Sequence, residues 1–77
     1  MATRTAAELV EFIAKNIVDE ADAVRVRELE DGRRIELETA PGDRGRVIGR
    51  QGRVAKAIRA VLAASRVGAN ARLDIVD

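Results

Sequence analysis

Two glycines three apart, Gly49 and Gly52, stand in the middle of a run of cations. Residues 44–66 hold seven basic side chains and no acidic one: Arg44, Arg46, Arg50, Arg53, Lys56, Arg59 and Arg66. A Gly-x-x-Gly turn lets an anion approach the main chain without meeting a Cβ. Where such a turn opens a helix, free backbone N–H groups and the positive end of the helix dipole face outward together. Arg46, Arg50 and Arg53 add charge at that point. Together these residue types can hold a phosphodiester, and the segment is an electrostatic footprint for a polyanion. The bland alternative is a solvated helix face in a chain that favours arginine, since 12 of its 14 basic residues are Arg. The net charge of +1 conceals the asymmetry, because residues 1–43 carry eleven acidic groups against six basic ones.

Other chemistries find no residues to work with. There is no His, which removes imidazole bases and histidine metal ligands. There is no Cys, which removes disulfides and thiolate-ligated zinc or iron–sulfur sites. Carboxylates are plentiful, but no His, Cys or Tyr can partner them. The expectation is a binding protein and not an enzyme, with no cofactor, no metal and no small-molecule substrate. Gly45, Gly49 and Gly52 have the wrong spacing for G-x-G-x-x-G, and no Gly-Lys-Ser/Thr makes a P-loop. Gly45-x-x-x-Gly49 lies in no apolar span, so the membrane dimer motif does not apply.

The elements that must position the loop follow from the pattern around it. The 77 residues make one domain, 1–77, with 21 large apolar side chains for a thin two-layer core. Thr5-Ala6-Ala7-Glu8 fits a capping box. Leu9, Phe12, Ile13 and Ile17 then recur at helical spacing and predict an amphipathic helix over about residues 6–18, with these four on the core side. Residues 23–40 read as a β-hairpin around Asp31-Gly32, a type I′ turn pair. A two-residue loop there sets Val26 against Leu37 and Glu28 against Ile35 on one face. The other face sets Arg25 against Glu38 and Arg27 against Glu36, which retires those four charges to a solvated sheet face.

Ala40-Pro41-Gly42 ends the hairpin, and Asp43 can cap a short helical turn over 44–48. The Gly-x-x-Gly loop, 49–52, leads into a second long helix over about 53–66. Its expected inner face is Val54, Ile58, Val61, Leu62 and Ser65, with Arg53, Lys56 and Arg59 elsewhere and Gly68 as a residue just past its end. Residues 70–76 alternate as a last strand, with Ala71, Leu73 and Ile75 inward. The order is α-β-β-α-α-β. The crossover between the second and third strands favours parallel pairing of the two. The fold class is α+β, a three-stranded mixed sheet with helices on one face; the strand order is not derivable from the pattern. No stretch approaches the ~20 apolar residues of a membrane span. Glu8 and Glu11 within the first apolar segment are wrong for a signal peptide, so a soluble, cytoplasmic protein is expected.

The run from Gly45 to Arg59, GRVIGRQGRVAKAIR, resembles the signature of a KH domain: V-I-G-x-x-G, then a helix with an apolar residue, Ile58, six beyond the second glycine. The element order resembles the type II, or prokaryotic, KH arrangement. The size resembles the small bacterial single-KH RNA-binding proteins of the KhpA type. The resemblance implies single-stranded RNA as ligand, with Gly49, Arg50, Gln51 and Gly52 clamping the backbone of about four nucleotides. It implies that Val47, Ile48 and Val54 line an apolar groove for unstacked bases, with Ile35 or Leu37 as its other wall or as plain core. Arg46, Arg53 and Lys56 complete the basic surround. It further implies pairing as a homodimer, or as a heterodimer with a larger KH-containing RNA-binding protein. A role as RNA chaperone or regulator linked to cell shape and cell-wall growth belongs to the same resemblance. No exposed ring is needed for this mode of binding; Phe12, the one aromatic residue, belongs to the expected helix stripe.

Two other readings compete. The fold can serve mainly as a dimerisation module with residual RNA contact. Double-stranded DNA binding needs a helix free to enter a major groove, whereas the second helix commits one face to the core.

Overall fold

The computed structural model describes residues 5–76. The elements are α1 (Ala6–Lys15), β1 (Arg25–Leu29), β2 (Arg34–Glu38), α2 (Arg44–Ile48), α3 (Arg53–Ala64) and β3 (Arg72–Val76), joined by short 3-10 turns. The sheet runs β1-β2-β3, with β2 in the centre, antiparallel to β1 and parallel to β3. The chain is α+β with the mixed three-stranded sheet expected of it.

The hairpin register is the one that the charge and apolar pattern predicts: Arg25↔Glu38, Val26↔Leu37, Arg27↔Glu36 and Glu28↔Ile35. Asp31 (φ 56°, ψ 39°) and Gly32 (φ 86°) lie in the left-handed region that a type I′ turn needs, and Arg33 N–H donates to Glu30 O at 3.1 Å. The turn is nevertheless wider than two residues. Glu30 is left-handed as well (φ 52°), and the ladder stops at Leu29↔Arg34.

The outer face of the sheet is a charge lattice. Arg34 reaches Asp74 at 2.7 Å and Glu36 at 3.3 Å, Arg72 reaches Asp74 at 3.4 Å, and Arg27 reaches Glu36 at 3.8 Å. The hydrogen bond from Arg34 holds the Asp74 carboxyl below the usual carboxylate range. Arg25 donates to the carbonyls of Asp22 and Val24.

The core between sheet and helices centres on Val10, Ile35, Leu37, Val47, Leu62 and Leu73, all fully buried. Several expectations about the helices need correction. α1 ends at Lys15 and not at 18. Asn16 follows it, its side-chain amide donating to Phe12 O at 2.7 Å, and the N–H groups of Ile17 and Val18 share the Ala14 carbonyl. The buried line of α1 is Ala6, Val10 and Ala14, while Leu9, Ile13 and Ile17 only flank the core and Phe12 is 53% exposed. A helix laid close on a sheet needs small side chains on its line of nearest approach, which pushes the larger ones to its sides. At its N-terminus the Glu8 N–H donates to Thr5 Oγ1 at 3.1 Å, half of the expected capping box. The Thr5 hydroxyl faces the Glu8 carboxylate at 3.5 Å.

α3 ends at Ala64 and buries Ala55, Ile58 and Leu62; Val61 stays 47% exposed. Gly68 does not take the left-handed post-helix position. Ser65 closes the helix, donating to Leu62 O and accepting from Gly68 N–H, both at 2.9 Å. Gly68 is buried there, and a Cβ on it would lie 2.6 Å from Leu62 Cδ2, so only glycine fits.

Candidate nucleic-acid interface

The helix that leads into the loop 49–52 starts beside a buried carboxylate. Asp43 is buried and leaves the N-terminus of α2 without a side-chain cap. Its two oxygens instead accept the N–H groups of Asp19 (3.2 Å) and Glu20 (3.0 Å). The expected cap therefore serves a different segment. Asp43 ties the α1–β1 connection to the start of α2, because those two amides have no helical partner and Asp43 is the acceptor that reaches them. Arg46 completes the tie, with Nη2 3.0 Å from Asp19 and Nε 3.5 Å from Asp43. Its charge faces two carboxylates 27 and 3 residues away in the chain. Only the second of these lies within one helical turn of it in sequence.

α2 stops at Gly49, whose N–H bonds to Gly45 O at 2.8 Å. Gly49 has φ 76° and ψ 169°, a backbone region open essentially to glycine alone. A Cβ there would also lie 2.5 Å from Val54 Cγ2 and 2.7 Å from Val54 N. Gln51 (φ 57°) and Gly52 (φ 74°, ψ 15°) are left-handed too. A Cβ on Gly52 would meet nothing within 4 Å. The two glycines thus differ: Gly49 is packed against the first turn of α3, and Gly52 presents bare backbone to open space. The Gly52 and Arg53 amides bond back to Gly49 and Arg50 carbonyls, and α3 starts with no side-chain cap. Part of the loop's donor set is therefore engaged within the turn, contrary to the simple picture of every N–H pointing outward.

Arg50 and Gln51 are exposed at the tip, and Arg53 and Lys56 are exposed on α3. No ion pair engages Arg50, Arg53 or Lys56 among the described residues. The apolar residues separate. Val47 is fully buried and belongs to the core, so it cannot line an open groove as expected; its helix turns it inward between Ile48 and Arg46. Ile48 is 36% exposed, and Val54 is half-buried against the core. Ile35 and Leu37 are fully buried, which makes them plain core.

Two features had no local signal in the sequence. Arg59 donates from Nε (3.3 Å) and Nη2 (3.1 Å) to Leu73 O on β3. Leu9, Phe12, Ile13, Ile17, Val54, Ala57, Ile58 and Val61 line a hollow of about 320 Å³ between α1 and α3 with no polar surface in it. Among the described residues no helix is long and apolar enough to cross a membrane, and no cluster of carboxylates could hold a metal ion.

A two-helix hairpin with a left-handed Gly-x-x-Gly corner, set on a three-stranded mixed sheet, is the arrangement of a KH domain. Residues 7–75 match the family described as KhpA/KhpB, KH domain, and the chain belongs to that family. Within it the chain is similar to the RNA-binding protein KhpA of Halalkalibacterium halodurans. The two are 52% identical over 73 residues, which is 90% of this chain and 96% of the relative. It is 46% identical to the RNA-binding protein KhpA of Streptomyces coelicolor, over 91% of this chain and 90% of the relative. It is 42% identical to that of Aquifex aeolicus, over 91% and 94%. No solved structure matches the chain.

Proposed function

We propose that this protein binds single-stranded RNA by clamping the backbone of about four nucleotides against Gly49, Arg50, Gln51 and Gly52. The observation that carries the reading is the loop itself: three left-handed residues, bare backbone at Gly52, and cations at Arg50, Arg53 and Lys56 that no carboxylate engages among the described residues. A phosphodiester supplies the missing negative charge. The names of the relatives, RNA-binding proteins throughout, support the same ligand. Ile48 and Val54 offer the apolar contact beside the loop. Arg46 contributes less than its position suggests, because Asp19 and Asp43 already face it. The activity is binding without catalysis. It suits an RNA chaperone or post-transcriptional regulator of the cytoplasm, and by family a participant in cell-shape and cell-wall control.

The test is Arg50→Asp with Gln51→Asp. Both side chains are exposed, and Asp tolerates the left-handed backbone of position 51. The fold should therefore survive. Two carboxylates would stand where the phosphodiester lies, at a cost on the order of a hundredfold in affinity. An unchanged melt with lost RNA binding supports the clamp; unchanged binding sinks it.

A second reading, self-association or pairing with a larger KH-containing protein, is favoured by the hollow between α1 and α3. Phe12 and Val61 are about half exposed there, in a lining with no polar surface. An apolar hollow flanked by two half-exposed large side chains offers a seat for apolar side chains of a partner. Phe12→Asp with Val61→Asp should shift a dimer to monomer in light scattering. A wild-type protein that is strictly monomeric at high concentration would remove the homodimer.

A further inference from the structure

Arg59 stands apart from the other cations of α3. It lies three residues beyond Lys56 and six beyond Arg53, so the three run along one side of the helix over about 9 Å, at ~1.5 Å per residue. Its guanidinium is fixed where theirs are not, by the two bonds to Leu73 O. β3 is an end strand and pairs only with β2 among the described residues. The N–H of Arg72 bonds toward β2, to Arg33 O at 2.7 Å. The next residue, Leu73, therefore turns its carbonyl to the open edge of the sheet. Arg59 is thus pinned over an unpaired strand edge, on the cationic side of α3 and about 9 Å along it from Arg53, the residue that follows the loop.

A guanidinium carries five N–H donors in a rigid fork. Nε and one donor of Nη2 are engaged by Leu73 O. The end-on pair, on Nη1 and Nη2, is left parallel, and Arg59 is exposed with no ion pair among the described residues. Two parallel donors match two adjacent acceptors. Guanine offers that pair at O6 and N7, whereas adenine puts an N–H donor beside N7. Lysine in this place would bring charge without the fork.

We infer that Arg59 is a base-reading residue, its guanidinium set by the Leu73 carbonyl to take the O6 and N7 of a guanine in the bound strand. The inference rests on the RNA clamp proposed above and adds a base preference carried by a residue outside the loop. The experiment measures affinity of the full chain for heptauridine and for heptaribonucleotides in which one uridine is replaced by guanosine at each position in turn. The guanosine series is repeated with 7-deazaguanosine, which lacks the N7 acceptor. One position should raise affinity roughly 5- to 100-fold, from the ~1–3 kcal/mol of a bidentate pair. 7-Deazaguanosine at that position should remove most of the gain, and this arm needs no variant. Arg59→Lys should bring the guanosine-to-uridine ratio close to one, with a thermal melt alongside to identify loss of fold. Wild-type protein that binds heptauridine but shows no guanosine preference overturns the inference and leaves the clamp standing. A ratio that survives in Arg59→Lys also overturns it. So does an Arg59→Ala loss that is uniform across sequences and flattens the salt dependence, since that is the mark of a phosphate contact. Wild-type protein that binds no oligonucleotide removes the clamp and the inference together.

Discussion

Cations crowd two regions of this molecule, and they are held in different ways. On the outer face of the sheet, Arg27, Arg34 and Arg72 each have a carboxylate within 4 Å, and Glu36 and Asp74 are each shared by two arginines. From Arg50 to Lys56 no such pairing occurs among the described residues. The cations of the sheet face are matched and those of the loop are not. The contrast teaches that a count of basic residues is not a count of available charge. It also cuts through the basic segment itself, because Arg46 is matched by Asp19 and Asp43 from outside the segment. Charge that can recruit a polyanion is charge that the fold has left unmatched.

The contrast breaks most severely at Gly49. Gly49→Ala meets a backbone region closed to alanine and a contact of 2.5–2.8 Å with Val54. The expected loss is about 3–5 kcal/mol, read as a large drop in melting temperature. Gly52→Ala has open space and only the left-handed strain, so it should cost about 1–2 kcal/mol. Equal costs for the two would mean that the packing difference between the glycines is not real.

Salt dependence sharpens the comparison. Three unmatched cations, Arg50, Arg53 and Lys56, predict a slope of log K against log salt near −2, at ~0.7 per phosphate for single strands. A slope near −3 would mean that a fourth cation, Arg46 or Arg59, also meets a phosphate. A slope near zero would remove the segment as the contact surface.

The smallest effect belongs to the sheet face. Arg25→Ala with Arg27→Ala should change stability by less than about 1 kcal/mol and RNA affinity not at all, as measured by melting and by titration. Loss of binding with an intact fold would place the RNA on the wrong side of the molecule.

Much of this was legible in the residues. The hairpin register follows from alternation and from opposite charges at sum-63 positions, and both are local. The Gly-x-x-Gly corner and the helix after it follow from backbone requirements that only glycine meets. The helix faces were read less well. Large apolar side chains at helical spacing point to Phe12 and Val61, which are half exposed. Ala14 and Ala55 carry no such signal and are buried, because nearness to a sheet selects for small size and not for hydrophobicity alone. The family resemblance implies a groove position for Val47, whereas its position on α2 turns it into the core.

The sequence by itself determined the element order, the strand register, the place of the loop and the excess of cations around it. These depend on spacing, on turn chemistry and on residue types within a few positions of each other. Only the tertiary structure decided which cations stay unmatched. Asp19 meets Arg46, and Leu73 O meets Arg59, across separations of 27 and 14 residues that no local pattern encodes. It also set the central place of β2 and gathered α1 and α3 residues into one apolar hollow. Strand order and helix docking are chosen by how the whole core closes, and charge pairing follows from that choice.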